Sequence, residues 1–442
     1  LEAMKANGIA GYQLFEAGSG IPIGPVESLS DEWVDLILHT LKESERLGLE
    51  FAMHNCPGWS SSGGPWITPD KAMQIITWSE TKITVGKQVR IQLPTPKHMF
   101  DYYIDTYCLA IPANMKVIPR LSILELSNRL DKDGVLTWDV PTGEWLIMRF
   151  GQTAKDQKNK SAPSKSTGLD CDKFSTEALD YHLNCMFKRL MPAMEKIAKH
   201  SKIGLLIDSY ETGDQDWTSD MPAYFEQSHG YELYPFLPVL ANKIVESEES
   251  TKRFLFDFRR VRADMFAERY YGHFQKRCKE KGIITYTEPY GGNMMEELQV
   301  AQQLDINMGE FWCGQTVLWA NYKYNRTVKQ VASIAHTLGG KVVGAEAFTS
   351  EPDADKWLQY PYALKSLGDY MFTRGLSRIY FHRFAHQPHP TAAPGMTMGA
   401  WGLHFDRTNT WWKPGKAWIE YLNRCQYIFQ SSTFYGDIPV SY

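Results

Sequence analysis

Short apolar runs alternate with longer amphipathic stretches along most of the chain, and this alternation restricts it to an α/β fold. The runs have the length of buried strands, and most of the stretches between them carry apolar residues at helical spacing. Eight strand candidates occur, at Ile9–Phe15, Glu50–His54, Trp145–Phe150, Ile203–Asp208, Ile283–Glu288, Asp305–Phe311, Lys341–Glu346 and Arg378–His382. They predict a closed (β/α)8 TIM-like barrel, with an open doubly wound sheet as the alternative.

One stretch breaks this alternation. Between residues 81 and 143, short strand-like runs separated by Pro and Gly turns replace the helical pattern. We therefore predict a small β-rich module inserted between the second and third barrel strands. The first part of the barrel then occupies residues 1–80, the module 81–143 and the remainder of the barrel 144–442.

Composition limits the function classes. The chain has 442 residues, 43% of them hydrophobic, and a net charge of −4, which argues against nucleic acid or an anionic membrane as the main partner. No apolar run reaches the roughly 18 residues of a membrane span.

The seven Cys are scattered and odd in number, so we expect buried free thiols instead of a disulfide framework. The chain begins with Leu1, and we expect it to be a segment of a longer protein.

Carboxylates follow several predicted strands at the point where each strand ends. The carboxyl ends of barrel strands meet at one rim, where the active sites of such barrels lie. The acids that we expect there are Asp208, Glu211, Glu288, Glu310 and Glu346. Paired carboxylates serve glycoside hydrolysis, in which one protonates the leaving oxygen and the other activates water or attacks the sugar.

Aromatic and histidine side chains accompany these acids. Sugar rings have apolar C–H faces that stack on Trp and Tyr, so residues of this kind beside acids suit a carbohydrate site. Core packing is the alternative for any one of them. The predicted substrate contacts are His54, Trp59, Asp208, Tyr210, Trp217, Tyr290, Trp312, His382 and His386.

Other chemistries receive less support from the sequence. Clustered acids could also bind a hard cation such as Ca²⁺ or Mg²⁺, and His382 with His386 could form a transition-metal pair. No HExxH or zinc-type Cys/His spacing is present. Neither GxGxxG, a P-loop nor a GxSxG elbow occurs, so nucleotide cofactors, phosphoryl transfer and a serine nucleophile are not indicated.

Several segments, read together, resemble the catalytic barrel of glycoside hydrolase family 106, the α-L-rhamnosidases. They are "NCPGWSSSGGPWITPDKAM" from Asn55, "GLDCDKFS" from Gly168, "DSYETGDQDWT" from Asp208, "TEPYGG" from Thr287, "GEFW" from Gly309, "GAEAFTS" from Gly344 and "FHRFAHQP" from Phe381. The resemblance implies a secreted or periplasmic bacterial enzyme with further β-sandwich domains. It also implies an inverting mechanism and a Ca²⁺ ion that contacts sugar hydroxyls.

With this resemblance, we predict Glu211 as the general acid and Glu346 as the general base, with Glu310 as the rival base. The first two follow strands on nearly opposite sides of the barrel, and a separation of roughly 6.5 to 9.5 Å would give inversion. The predicted metal or hydroxyl ligands are Glu288, Asn55 and Asp208.

Three other functions stay open. A retaining barrel hydrolase acting on β-galactosides or related sugars would bring its two carboxylates to about 5 to 5.5 Å. A non-catalytic sugar-binding barrel would bind without turnover, and a metal-dependent isomerase or lyase would release a different product.

Overall fold

Seven parallel strands form the central sheet in the computed structural model. The structure describes residues 1–59, 62–84, 86–314, 317–351, 356–387, 391, 395–396 and 401–436. The central strands are β1 (Gly11–Leu14), β2 (Glu50–His54), β3 (Ile203–Ile207), β4 (Ile284–Thr287), β5 (Ile306–Trp312), β6 (Val343–Thr349) and β7 (Arg378–Phe381). Each pairs with its neighbours in this order, and the whole sheet is parallel. Their common direction brings all their carboxyl ends to one rim.

The sheet curves into a nearly closed barrel. No backbone pairing joins β1 to β7 among the described strands, so side chains connect the two edges. At one end of the strands, Arg378 of β7 forms an ion pair with Glu50 of β2. At the other end, the rings of Phe15 and His382 lie 6.3 Å apart. We refer to this unpaired junction between β1 and β7 as the seam.

Side chains fill the interior of the barrel. Ala52, Leu206, Tyr286, Ile306 and Met308 form one buried apolar cluster there. Gly204 of β3 leaves room for the ring of Tyr286, because a Cβ atom at this position would lie 2.5 Å from that ring. The barrel is therefore a packed core, and ligands have access to it only at its rim.

Helices follow the strands and cover the outside of the barrel. The first long helix begins after Ser30, whose side chain accepts a hydrogen bond from the backbone N–H of Trp33 at 3.1 Å, and ends at Gly48 with φ of 63°. The helices are Glu2–Ala6, Asp31–Leu47, Thr176–Ile197, Met221–His229, Leu237–Leu240, Glu248–Met265, His273–Lys279, Glu297–Ala301, Val317–Thr337, Pro361–Thr373 and Lys416–Ser431, with a π-helical segment at Phe266–Gly272. Short 3₁₀ turns occur at Pro69–Lys71, Arg120–Ser122, Ser127–Arg129, Ser164–Ser166 and Tyr234–Phe236.

A second sheet corrects the prediction for the third barrel strand. Trp145–Ala154 lies in an antiparallel four-stranded sheet, between Gln74–Ile83 and Ile104–Pro112, with Leu124–Glu125 at the edge. The central sheet thus has seven strands among the described residues, and the prediction of eight is not confirmed. Shorter strand pairs are Gln88–Gln92 with Val135–Asp139, Gly63–Gly64 with Leu169–Asp170, and Val117–Ile118 with Ile244–Val245.

The other seven predicted strands coincide with β1 to β7 to within a few residues. The division of the chain at residues 81 and 143 stays a prediction, since strands Gln74–Ile83 and Trp145–Ala154 of the four-stranded sheet extend beyond that range. All seven Cys are free thiols, five of them buried, as expected. Among the described residues, no helix is long and apolar enough to cross a membrane.

Candidate active site

Four carboxylates meet at the rim because four neighbouring strands end on them. Asp208 and Glu288 directly follow β3 and β4, while Glu310 and Glu346 lie in the second halves of β5 and β6. Glu310 and Glu346 are direct partners in the β5–β6 register. All four belong to the set of acids predicted from the sequence, and the parallel order of the strands explains why they lie together.

Three of these carboxylates form a tight group. Oxygen atoms of Asp208, Glu288 and Glu346 all lie within 4.8 Å of one another. Burial, opposed by a hydrogen bond with Glu288 and reinforced by the charge of Glu346, raises the pKa of Asp208 to about 7. Burial also raises the pKa of Glu346 to about 7, opposed by a hydrogen bond from Thr349. Without a cation, the group therefore retains protons near neutral pH.

Aromatic donors hold Glu288 and Glu310, two of the four carboxylates that form this ring of acids. The hydroxyl of Tyr290 donates to Glu288 at 2.5 Å, and the indole N–H of Trp312 donates to Glu310 at 2.5 Å. Burial, followed by the charge of Asp208, raises the pKa of Glu288 well above its usual value. The pKa of Glu310 is raised in the same way, by burial and then by the charge of Glu346. Tyr290 and Trp312 thus lie at the site.

Two histidines flank the acids. His54 Nε2 lies 3.4 Å from Asp208, and His382 Nδ1 lies 3.3 Å from Glu346. Burial lowers the pKa of both imidazoles to about 3. Both histidines are therefore neutral at physiological pH and can donate or accept hydrogen bonds without adding charge. Thr349 of β6 contacts both Glu346 and His382. Its hydroxyl donates to Glu346 at 2.7 Å and lies 3.1 Å from Nδ1 of His382.

Glu211 differs from the buried acids because its side chain is 38% exposed. Lys160 Nζ lies 2.5 Å from its Oε2, and the indole N–H of Trp59 donates to the same oxygen at 3.2 Å. The hydroxyl of Ser209 contacts the other oxygen at 3.3 Å. Glu211 therefore lies on the solvent side of the ring of acids, where a ligand can reach it.

Aromatic rings line the mouth next to Glu211. Phe15 stacks on Trp59 with ring centroids 5.8 Å apart, and it lies 4.5 Å from the ring of His54. Trp401 meets Trp59 edge to face at 6.4 Å. Phe15, Trp401 and Lys160 were not among the predicted site residues. Phe15 ends the first predicted strand, which was a usable signal, whereas Lys160 lies in a polar loop that carried none.

Four predicted residues lie elsewhere. Tyr210 and Trp217 are fully buried in the main hydrophobic core, so the structure does not bring them to the rim. The carboxamide of Asn55 donates to the carbonyl of Leu206 at 2.8 Å and accepts from Ser62, which ties it to the barrel wall. His386 is exposed on the chain after β7.

The donor set of the tight group suits a hard cation. Carboxylate oxygens are the preferred ligands of Ca²⁺, and a divalent ion would offset the burial and the mutual repulsion that raise the pKa of these acids. The residues that could hold such an ion are Asp208, Glu288 and Glu346. Two of them were predicted as ligands. The third, Glu346, was predicted as the general base, and Asn55 as a ligand stays a prediction.

Comparisons with known proteins give the family from a family model and the fold from a solved structure. The chain matches the model of glycoside hydrolase family 106, described as alpha-L-rhamnosidase, over residues 1–106 and 97–442. A protein of Formosa agariphila named "Putative beta-glucuronidase" is 39% identical over 471 residues, which cover 100% of this chain and 40% of that protein. The structure of a rhamnosidase from Novosphingobium sp. PP1Y shares the fold, with a TM-score of 0.88 and 22% sequence identity over 97% of this chain and 57% of that one. The chain thus spans about half the length of these two relatives.

Proposed function

Since the chain belongs to glycoside hydrolase family 106, we propose that it hydrolyses α-L-rhamnosidic bonds with inversion at the anomeric carbon. The observation that carries this proposal is the arrangement of the acids. Glu211 lies on the solvent side of the mouth beside Trp59, while Glu346 lies buried within the ring of acids. This arrangement supports a pair of carboxyl groups that act from opposite sides of a bound sugar.

Glu211 is proposed as the general acid. It can protonate the glycosidic oxygen as the bond to the leaving group breaks. The ammonium group of Lys160 forms an ion pair with Glu211 at 2.5 Å. Proton donation therefore requires this contact to loosen when substrate binds, which an exposed lysine on a loop can do. The aromatic side chains of Trp59 and Phe15 supply faces on which the sugar can stack.

Glu346 is proposed as the general base, with Glu310 as the rival. A base takes a proton from the water that attacks the anomeric carbon. Glu346 accepts a hydrogen bond from Thr349 and lies 3.3 Å from the neutral His382, so its orientation is fixed. Glu310 is held by Trp312 in the neighbouring strand. His54 and His382 can orient sugar hydroxyls without altering the charge of the site.

Asp208, Glu288 and Glu346 are proposed to hold a Ca²⁺ ion. When bound, the ion would neutralise the buried acids and bind sugar hydroxyl oxygens. A cation beside Glu346 would also keep this residue ionised, which is the state that a base requires. The support for this proposal is the separation of their oxygens, all within 4.8 Å of one another, and the repulsion that the chain alone leaves uncompensated.

A β-glucuronidase activity is the second candidate, favoured by the name of the 39%-identical relative. A glucuronide carries a carboxylate on the sugar that is cleaved, whereas L-rhamnose carries no charge. The groups described at the bottom of the site are the acids Asp208, Glu288, Glu310 and Glu346 and two neutral histidines, and none of these side chains is a cation that could pair with such a carboxylate. The electrostatics therefore favour the rhamnoside.

The test is kinetic and uses the full-length protein. We expect release of 4-nitrophenol from its α-L-rhamnoside but not from its β-D-glucuronide, and β-L-rhamnose as the first product seen by NMR. Glu211→Gln and Glu346→Gln should each lower kcat by about 10²- to 10⁴-fold, while Glu249→Gln on an exposed helix should leave it unchanged. A chelator should abolish activity and Ca²⁺ should restore it. Normal turnover in either active-site variant would remove that residue from the mechanism.

Two wider proposals concern the whole protein. We propose that it acts in the periplasm or outside the cell, where glycan substrates occur, and that further β-sandwich domains accompany the barrel. The support for the domains is that the match covers only 40% of the Formosa agariphila relative. Cell fractionation with an antibody against the full-length protein tests the location.

A further inference from the structure

A cluster of buried polar side chains lies beyond β7, beside the candidate active site. Arg383 is 7% exposed and His404 is 8% exposed. Asp406 and Gln387 are buried with them, and the side-chain amide of Gln387 donates to Asp406 at 3.2 Å. We call Arg383, His404, Asp406 and Gln387 the β7 cluster. The mechanism proposed above uses none of these residues.

Two members of the β7 cluster lack hydrogen-bond partners within the described part of the chain. There, no guanidinium nitrogen of Arg383 and no ring nitrogen of His404 is hydrogen-bonded. Leaving a buried donor unpaired destabilises the folded protein, and a buried charge without partners does so more strongly. Unpaired donors at this density in a native protein call for an explanation.

Another buried arginine of the same chain shows the usual solution. Arg149 donates two parallel hydrogen bonds to Asp105, at 2.7 and 2.8 Å, and a third to the carbonyl of Leu93 at 3.0 Å. Bidentate pairing of this kind is how a guanidinium is normally accommodated away from water. Arg149 is therefore a structural arginine, and Arg383 does not follow its pattern.

Asp406 cannot serve Arg383 in the same manner. One of its oxygens accepts from the backbone N–H of Thr408 at 2.8 Å and from the hydroxyl of Thr408 at 2.5 Å. The other accepts from Gln387, and His404 Nε2 lies 3.8 Å from it. The carboxylate thus balances the charge of Arg383 at a distance but leaves its N–H groups without acceptors.

The β7 cluster adjoins the mouth on the side of Glu211. Gly402 packs against Arg383, where a Cβ atom would lie 2.7 Å from Cγ of the arginine. The preceding residue, Trp401, contacts Trp59, whose indole donates to Glu211. If Glu211 is the general acid, this is the side of the site that receives the leaving group.

We propose that Arg383 and His404 bind an oxyanion carried by the leaving group, namely the carboxylate of a uronic acid or a sulfate ester. A guanidinium offers only donors, so the missing partner must offer acceptors, and two oxygens of a carboxylate or of a sulfate can accept two parallel bonds from it. The acids and neutral histidines at the bottom of the site offer no cation to an anion on the cleaved sugar, whereas Arg383 lies on the side of its neighbour. The inference rests on the proposed function, and it names the substrate as rhamnose linked to an acidic sugar.

Entry of the oxyanion requires a local movement. Both side chains are more than nine-tenths buried, and Gly402 packs against Arg383. Backbone hydrogen bonds hold the segment 401–403 to residues that follow β7 and β6, from Leu403 to His382 at 2.7 Å, from Arg383 to Leu403 at 3.3 Å and from Gly402 to Ser350 at 3.0 Å. Trp401 is 38% exposed, so a sugar that stacks on it would be in place to displace the segment.

The experiment measures binding and turnover separately in the full-length protein. Titration calorimetry with D-glucuronate, D-glucose 6-sulfate and D-glucose tests binding without catalysis. Kinetics compare the 4-nitrophenyl rhamnoside with a rhamnosyl-glucuronate disaccharide. The variants are Arg383→Met, which keeps the length of the side chain, and Arg253→Met on an exposed helix, which controls for the change of net charge.

We expect glucuronate or the sulfate ester to bind at least about 10-fold more tightly than glucose in the wild type and in Arg253→Met, and no such preference in Arg383→Met. The member of the pair that binds identifies the oxyanion. Arg383→Met should lower kcat/KM for the disaccharide about 10- to 100-fold and leave the 4-nitrophenyl rhamnoside unchanged. Equal binding of all three sugars by the wild type would overturn the inference, without any variant being needed. If anions bind through Arg383 but no rhamnoside is hydrolysed, the proposed function fails and the oxyanion site stands.

Discussion

Replacement of Asp208 by Asn should change how the stability of the protein depends on pH. Burial, and secondarily the charge of Glu346, raises the pKa of Asp208 to about 7, against roughly 3.9 in an unfolded chain. Because the folded-state pKa lies above the unfolded one, the stabilising contribution is complete below about pH 4 and is lost as the pH rises through 7. Each pH unit in that window corresponds to about 1.4 kcal/mol, so roughly 2–3 kcal/mol is lost between pH 5 and pH 8.

The two histidines of the site change the pH dependence of the free energy of unfolding in the opposite direction. Burial lowers the pKa of His54 and His382 to about 3, below the roughly 6.5 of an unfolded chain. Their contribution is present above about pH 6.5 and is lost as the pH falls. The pH dependence of the wild type therefore combines both effects. The difference between Asp208→Asn and the wild type isolates the carboxyl group, since both proteins contain the same histidines.

The measurement is denaturant unfolding of the metal-free, full-length protein at pH 5, 6, 7 and 8. From pH 5 to pH 8, the free energy of unfolding of Asp208→Asn should shift by roughly 2–3 kcal/mol in favour of the variant. Glu249→Gln, on an exposed helix, is the control and should show no such shift. Addition of Ca²⁺ at pH 8 should stabilise the wild type more than Asp208→Asn, because ligand binding to the folded state adds to stability. A difference that stays constant within about 0.5 kcal/mol across this pH range would refute the reasoning.

Three further predictions follow from single contacts. Lys160→Met should change the free energy of unfolding by less than about 1 kcal/mol, because both partners of the Lys160–Glu211 ion pair are partly exposed, and a larger loss in denaturant unfolding would contradict this. Gly58→Ala should destabilise the protein by about 1–3 kcal/mol in thermal unfolding, since its φ is 84° and a Cβ would lie 2.1 Å from the carbonyl of Lys160. Gly230→Ala is its control, with φ of 75° and open space, and should cost less. Trp217→Ala should cost about 3–5 kcal/mol in denaturant unfolding because the indole is fully buried, and a small loss would place that residue outside the core.

The seven barrel strands were predictable because each is a short apolar run that ends on polar residues. Trp145–Ala154 has the sequence pattern of such a barrel strand, since all but the first of its ten residues are buried. In this case both faces are covered within an antiparallel sheet, which produces the same continuous apolar run as a parallel strand. Composition reveals that a strand is buried on both sides, but not which neighbours pair with it.

The ring of acids was predictable for a geometric reason. Parallel strands that end on Asp208, Glu288, Glu310 and Glu346 must bring these residues to one edge. Beyond the strand ends, closeness in sequence to a strand no longer determines where a side chain points. Tyr210 and Trp217 follow β3 closely, but the chain turns back there and both side chains enter the core. Lys160 reaches Glu211 from 51 residues away through the packing of a loop, which no local pattern encodes.

The unpaired junction of β1 and β7 has a mechanical consequence. Elsewhere the circumference of the barrel is fixed by backbone hydrogen bonds, but at the seam it depends on the Arg378–Glu50 ion pair and on the ring contact between Phe15 and His382. Side chains can slide and reorient where a backbone ladder cannot, so the cylinder is most compliant along this line. His382 borders the seam and contacts Glu346, so the most compliant part of the barrel wall also touches the proposed general base.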